Sequence, residues 1–178
     1  EAIKHGIILD KPLFETFEDR VGSIIASEPE ILERVISASM AVKAKVVTQD
    51  ERETKGLRTL LNYGHTIGHA LENVKGYGQL LHGEAVAIGM TAAVRISERA
   101  GLISSEIVNR QDALLERFGL PTKFSGVNSG NVIRAMEVDK KNLAGDLRWV
   151  LLEDLGRATT RSGLEEKMIV EVLQEISD

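Results

Sequence analysis

The sequence contains no cysteine. Disulfides and thiolate metal sites are therefore excluded, and any metal must be held by His, Asp and Glu. No apolar run approaches the roughly 20 residues that cross a bilayer as a helix. Positive charge is not in excess either: 22 Lys and Arg stand against 27 Asp and Glu, a net charge of −5. That argues against a general nucleic-acid or membrane-surface binder and leaves room only for a local basic pocket. Internal repeats and low-complexity linkers are missing, and no Gly-x-Gly-x-x-Gly follows a strand-like run. The absence of cysteine fits a cytoplasmic protein.

What is present is a globular composition, 43% hydrophobic and 28% charged over 178 residues, enough for one domain spanning 1–178. The chain opens at Glu1 directly inside an apolar helical pattern (Ala2, Ile3, Ile7, Ile8), which leads us to expect a piece of a longer protein. Pro12 after Asp10 predicts a short helix. Ser27-Glu-Pro-Glu30 reads as a capping box ahead of Ile31, Leu32, Val35, Ile36, Val42 and Val46. The charged run Asp50 to Gly56 reads as a polar loop. Further helices are expected from Leu60 or Asn62 to about Val74, from His82 to Ala100, from Ser104 or Ser105 to Phe118, and over Ser129–Val138. Leu147 to Leu152 is the one good strand signal, and Asp154, Gly156, Thr159 and Thr160 make it a hairpin. Ser162 to Glu165 should cap a last amphipathic helix. The expected fold is mainly α and multi-helical, with one small β-hairpin.

Three of the four histidines, His65, His69 and His82, fall in one short window among glycines, with Arg58 and Asn62 beside them. Imidazole is the commonest transition-metal ligand and the side chain that trades protons near neutral pH. His65 and His69, at i and i+4, share a helix face and could both be ligands, or one a ligand and one an acid–base group. The bland alternative is a buried pair held by backbone carbonyls. Gly64 and Gly68 favour a site, because glycine opens room for a ligand at a cost in helix stability. With His82, a zinc-type centre needs a further ligand. Glu1, Glu72 and Glu84 all qualify by composition. Lys43, Arg58, Asn62, Lys140 and Lys141 are the groups suited to an anionic substrate. A solvated loop is the plainer reading of Lys140-Lys141 and, more strongly, of Glu53. His5 reads as structural or exposed.

These motifs resemble 3-dehydroquinate synthases. The segments that carry the resemblance are Leu57 to Glu72, His82 to Met90 and Asp139-Lys-Lys141, together with Glu1 to Lys4, Val42 to Val47 and Asp50 to Glu53. They match in order over nearly the whole chain and cover the C-terminal half of the family. The Glu53 loop is one residue longer here than in some relatives. The resemblance implies a helical metal- and substrate-binding domain whose N-terminal NAD-binding partner domain lies outside this chain. It implies that Glu1, His65 and His82 hold a divalent metal, zinc or cobalt. It also implies that Lys4, Lys43, Arg58, Asn62 and Lys140 or Lys141 bind substrate, and that His69 and Glu53 transfer protons. The implied reaction turns 3-deoxy-D-arabino-heptulosonate 7-phosphate into 3-dehydroquinate and phosphate, with NAD, in a homodimer. Alternatives are another sugar-phosphate cyclase of the deoxy-inosose or valiolone type, an iron-containing alcohol dehydrogenase-like domain, or a non-catalytic metal-binding module.

Overall fold

The computed structural model describes residues 1–52, 56–76, 79–142 and 148–178, without the side chains of residues 137–142. The element order is α1 (Ala2–Leu9), α2 (Lys11–Asp19), α3 (Val21–Ile25), α4 (Pro29–Gln49), a 3₁₀ turn (Arg58–Asn62), α5 (His65–Lys75), α6 (His82–Arg99), α7 (Ser105–Arg117), α8 (Ser129–Asn142), β1 (Trp149–Asp154), β2 (Arg157–Arg161) and α9 (Glu166–Glu175). Among the described residues no helix is long and apolar enough to cross a membrane.

Helix α6 is apolar on almost every side, which is the pattern of a helix buried all round. Val86, Met90 and Val94 pack into one cluster with α1 and α2, while Ile88, Ala92 and Ile96 pack into a second with α5 and α9. Strand β1 separates the two clusters by its two-residue period. Val150 and Leu152 join the first, and Trp149 and Leu151 the second. It pairs antiparallel with β2, and a bulge lies between Leu152 and Asp154. The hairpin turn supports α1 directly, since the Gly156 amide donates to the Ile7 carbonyl at 2.8 Å.

Helices α5 and α6 approach closely enough that side chains are excluded at their crossing. A Cβ on Gly89 would lie 1.9 Å from the Gly64 carbonyl oxygen, and Gly64 itself has φ +79 against the Met90 amide. Gly64 and Gly68 therefore serve helix packing rather than opening space for a ligand, which corrects the sequence reading. Gly64 also divides the helix expected from Leu60 or Asn62 into a 3₁₀ turn and an α-helix that starts at His65.

Other expectations shift for identifiable reasons. Ser27 does not cap α4. It has φ 58 and ends α3, its own amide bonding to the Ile24 carbonyl while the Glu28 amide bonds to that of Ser23. These are the two bonds of a Schellman motif, and they leave Glu28 as the N-cap of α4. Ser162 likewise does not cap the last helix, whose N-cap is Glu165. Helix α8 runs on to Asn142, and β1 starts at Trp149, while Leu147 lies outside the described residues. Asp50 is buried within the expected polar loop, its Oδ2 accepting the amides of Leu57 and Arg58 at 2.8 and 3.3 Å. His5 is buried as well, with Nδ1 2.7 Å from the Ser39 hydroxyl.

Candidate metal centre

Three elements bring the histidine window to the start of α1. His65 opens α5 immediately after the Gly64 turn, His69 lies one turn further on, and His82 opens α6. Glu1 stands at the N-cap of α1. Its Oε1 lies 3.5 Å from His65 Nε2 and 3.7 Å from His82 Nε2. One donor atom from each of these three side chains lies within 4.8 Å of the others.

The opposite nitrogen of each ring fixes the proton. His65 Nδ1 is 3.2 Å from the Tyr63 carbonyl, and His82 Nδ1 is 3.1 Å from Glu72 Oε1. A carbonyl or a carboxylate only accepts, so both Nδ1 atoms donate, and in the neutral ring form both Nε2 lone pairs face Glu1. Two imidazole Nε2 atoms and a carboxylate oxygen thus converge on one point. That is the donor chemistry of a divalent-cation seat, with its ring orientations set from behind. Three protein donors leave at least one position for water or substrate.

Charge is tuned around the seat. Burial alone would raise the Glu1 carboxyl, but the hydrogen bond and charge of Lys4 outweigh it and hold it below the usual carboxylate range. Lys4 Nζ sits 2.7 Å from Glu1 Oε2. Burial, opposed by Glu1, lowers the Lys4 ammonium, and the nearby Lys43 on α4 lowers it further. Burial, with the Lys4 charge, lowers His65 to about 4, so the ring is neutral and its lone pair free.

The other expected residues distribute as follows. His69 is exposed beside the seat, its ring centroid 5.2 Å from that of His65 and 6.0 Å from that of His82. Arg58 and Asn62 bracket the 3₁₀ turn that leads into His65. Lys43 is exposed on α4. Lys140 and Lys141 belong to the last turn of α8, which packs on α5, and their side chains lie outside the described residues. Glu53 also lies outside them. Of the carboxylates left open by composition, Glu84 accepts the Leu81 amide at 2.9 Å and so caps α6. Glu72 orients His82. Two groups were missed: the Tyr63 carbonyl and the buried Asp50 carboxylate. Tyr63 precedes His65 by two residues, but no side-chain pattern advertises a backbone acceptor.

A family model described as 3-dehydroquinate synthase C-terminal matches residues 1–142. The chain belongs to the 3-dehydroquinate synthase family. The synthase of Synechococcus sp. is 42% identical across 100% of this chain and 49% of its own length. Those of Teredinibacter turnerae and Nostoc punctiforme are 43% and 44% identical across 98% of this chain and 48% of theirs. The chain thus spans about half the length of the curated 3-dehydroquinate synthases it matches. A crystal structure of 2-deoxy-scyllo-inosose synthase with carbaglucose-6-phosphate, NAD+ and Co2+ covers 98% of this chain and 50% of that one, at TM-score 0.81 and 29% identity. The fold is also that of 2-epi-5-epi-valiolone synthase from Streptomyces hygroscopicus with NAD+ and Zn2+, at TM-score 0.89 and 21% identity over 98% of this chain and 49% of that one.

Proposed function

We propose that this chain is the metal- and substrate-binding half of a 3-dehydroquinate synthase. In this reading the whole protein converts 3-deoxy-D-arabino-heptulosonate 7-phosphate into 3-dehydroquinate and phosphate, with NAD held mainly by an N-terminal domain. The observation that carries it is the convergence of the Glu1, His65 and His82 lone pairs beside Lys4 and His69, in a chain of this family. Identities of 42–44% to the synthases, against 29% and 21% to the inosose and valiolone enzymes, rank those two activities below it.

Glu1 Oε1, His65 Nε2 and His82 Nε2 would hold the divalent ion, zinc or cobalt. A bound ion supplies Lewis-acid polarisation of substrate hydroxyl and carbonyl oxygens, and NAD supplies reversible oxidation of a ring hydroxyl. The rest falls to side chains of this chain. Lys4 and Lys43, set close together, receive an anionic group of the substrate, and Arg58 offers a fork suited to phosphate or carboxylate. Asn62 takes a hydroxyl, and Lys140 or Lys141 completes the grip on the phosphate. His69, exposed beside the seat, moves a proton at a substrate hydroxyl or leaving phosphate oxygen, with Glu53 as a second proton-transfer group. A cytoplasmic homodimer belongs to the same reading.

The test is phosphate release by the full-length protein supplied with NAD and zinc or cobalt. One phosphate and one dehydroquinate are expected per heptulosonate phosphate consumed. Release from a hexose 6-phosphate instead, or from neither substrate, would overturn the assignment.

A further inference from the structure

Beside the seat of Glu1, His65 and His82 lies a second set of donors: His69, Glu72 and His82 also place ligand atoms within 4.8 Å of one another. We propose that this set is a second, weaker seat for a zinc-class divalent cation, sharing His82 with the first and inhibiting the enzyme when filled. The proposal rests on reading the first seat as the metal site.

His69 and Glu72 stand at i and i+3 on α5, so both project from one helix face. His82 reaches them from the first turn of α6, its ring nearly parallel to that of His69 at an interplanar angle of 28°. The two nitrogens of His82 serve different carboxylates. Nε2 faces Glu1 Oε1 at 3.7 Å, and Nδ1 faces Glu72 Oε1 at 3.1 Å. The ring therefore joins the two donor sets.

A cation entering the second set takes the place of the proton between Nδ1 and Glu72, and that proton leaves to solvent. Displacing it, next to a cation already bound, makes this seat the weaker of the two. The side chains of His82 and Glu72 are 50% and 23% exposed, so an incoming ion reaches them without rearrangement of the core. Its effect on turnover follows from His69. A ring nitrogen that coordinates a cation has no lone pair left to accept a proton.

Zinc titration of the metal-stripped full-length protein, by equilibrium dialysis and calorimetry alongside turnover, tests this. Wild type should show two classes of binding, the second weaker than the first. Activity should rise through the first equivalent and fall through the second. Glu72→Gln keeps an oxygen for His82 Nδ1 but removes the charged ligand, so it should weaken the second class by more than it weakens the first. His69→Asn carries the same prediction and serves if Glu72→Gln fails to fold by circular dichroism. A single class up to millimolar zinc, or a second class untouched by both variants, would overturn the proposal. A first class that survives Glu1→Gln would instead overturn the reading of the primary seat.

Discussion

Replacing Gly89 with alanine tests the helix crossing on which the proposed metal centre is built. The new methyl carbon would lie 1.9 Å from the Gly64 carbonyl oxygen, 2.8 Å from its carbon and 3.0 Å from the Gly68 amide nitrogen. All three are backbone atoms, so no side chain can swing away. Helices α5 and α6 must part by about 1 Å before the shortest contact becomes tolerable, and overpacking of this kind costs about 1–3 kcal/mol or more. Alanine recovers about 1 kcal/mol of helix propensity. With rigid atoms on both sides the upper end applies, and a net loss of about 2–3 kcal/mol corresponds to a fall in Tm of roughly 5–10 °C. Gly22→Ala is the control, because nothing lies within 4 Å of its added carbon. It should raise Tm slightly through about 0.5–1 kcal/mol of propensity. Because His65 follows Gly64 directly, Gly89→Ala should also weaken zinc binding. Thermal melting by circular dichroism, with a zinc titration on each variant, gives both readouts. If Gly89→Ala melts and binds zinc like Gly22→Ala, the close-approach account is wrong.

Two further tests address groups around the site. Burial, with the charge of Lys4, lowers buried His5 to about 4, so the unfolded chain takes up protons first as pH falls. Stability present above pH 6.5 is then lost as pH falls toward 4, by up to about 3 kcal/mol. His5→Gln should shrink that loss in urea titrations at pH 7, 5.5 and 4.5, and an unchanged pH slope would contradict the cause given. Asp50→Ala strips the acceptor from the Leu57 and Arg58 amides, at a cost of about 1–3 kcal/mol. It should raise KM for the sugar phosphate more than it lowers kcat, because Arg58 is a proposed binding group. An unchanged KM would remove Arg58 from that role.

Much of the fold was legible in the chain because its signals are local. Helical periodicity placed α4, α6 and α7 to within a residue or two, and the run Leu147 to Leu152, with the turn residues Asp154 and Gly156 and the β-branched Thr159-Thr160, identified the hairpin. The misplaced Ser27 cap and the reading of Gly64 and Gly68 depend on partners distant in sequence or on elements too short to show a pattern. Ser27 looks like a cap until the five-residue helix α3, which periodicity cannot detect, claims it. Gly64 and Gly68 look like space for a ligand until α6 lies against them. The site divides in the same way. The spacing of His65, His69 and His82 marked the chemistry, but Glu1, Glu72 and Glu84 were equivalent by composition. The family resemblance selected Glu1 among them, and the structure adds what each oxygen meets: two imidazole nitrogens, one ring N–H, or a helix-capping amide.

The most direct test of the central claim is an anomalous-scattering crystal structure of the full-length protein loaded with one equivalent of cobalt or zinc. The account predicts one strong peak at about 2.0–2.2 Å from a Glu1 carboxylate oxygen, His65 Nε2 and His82 Nε2. A peak seated on His69 and Glu72 without Glu1 and His65, or no peak in this region, would contradict it.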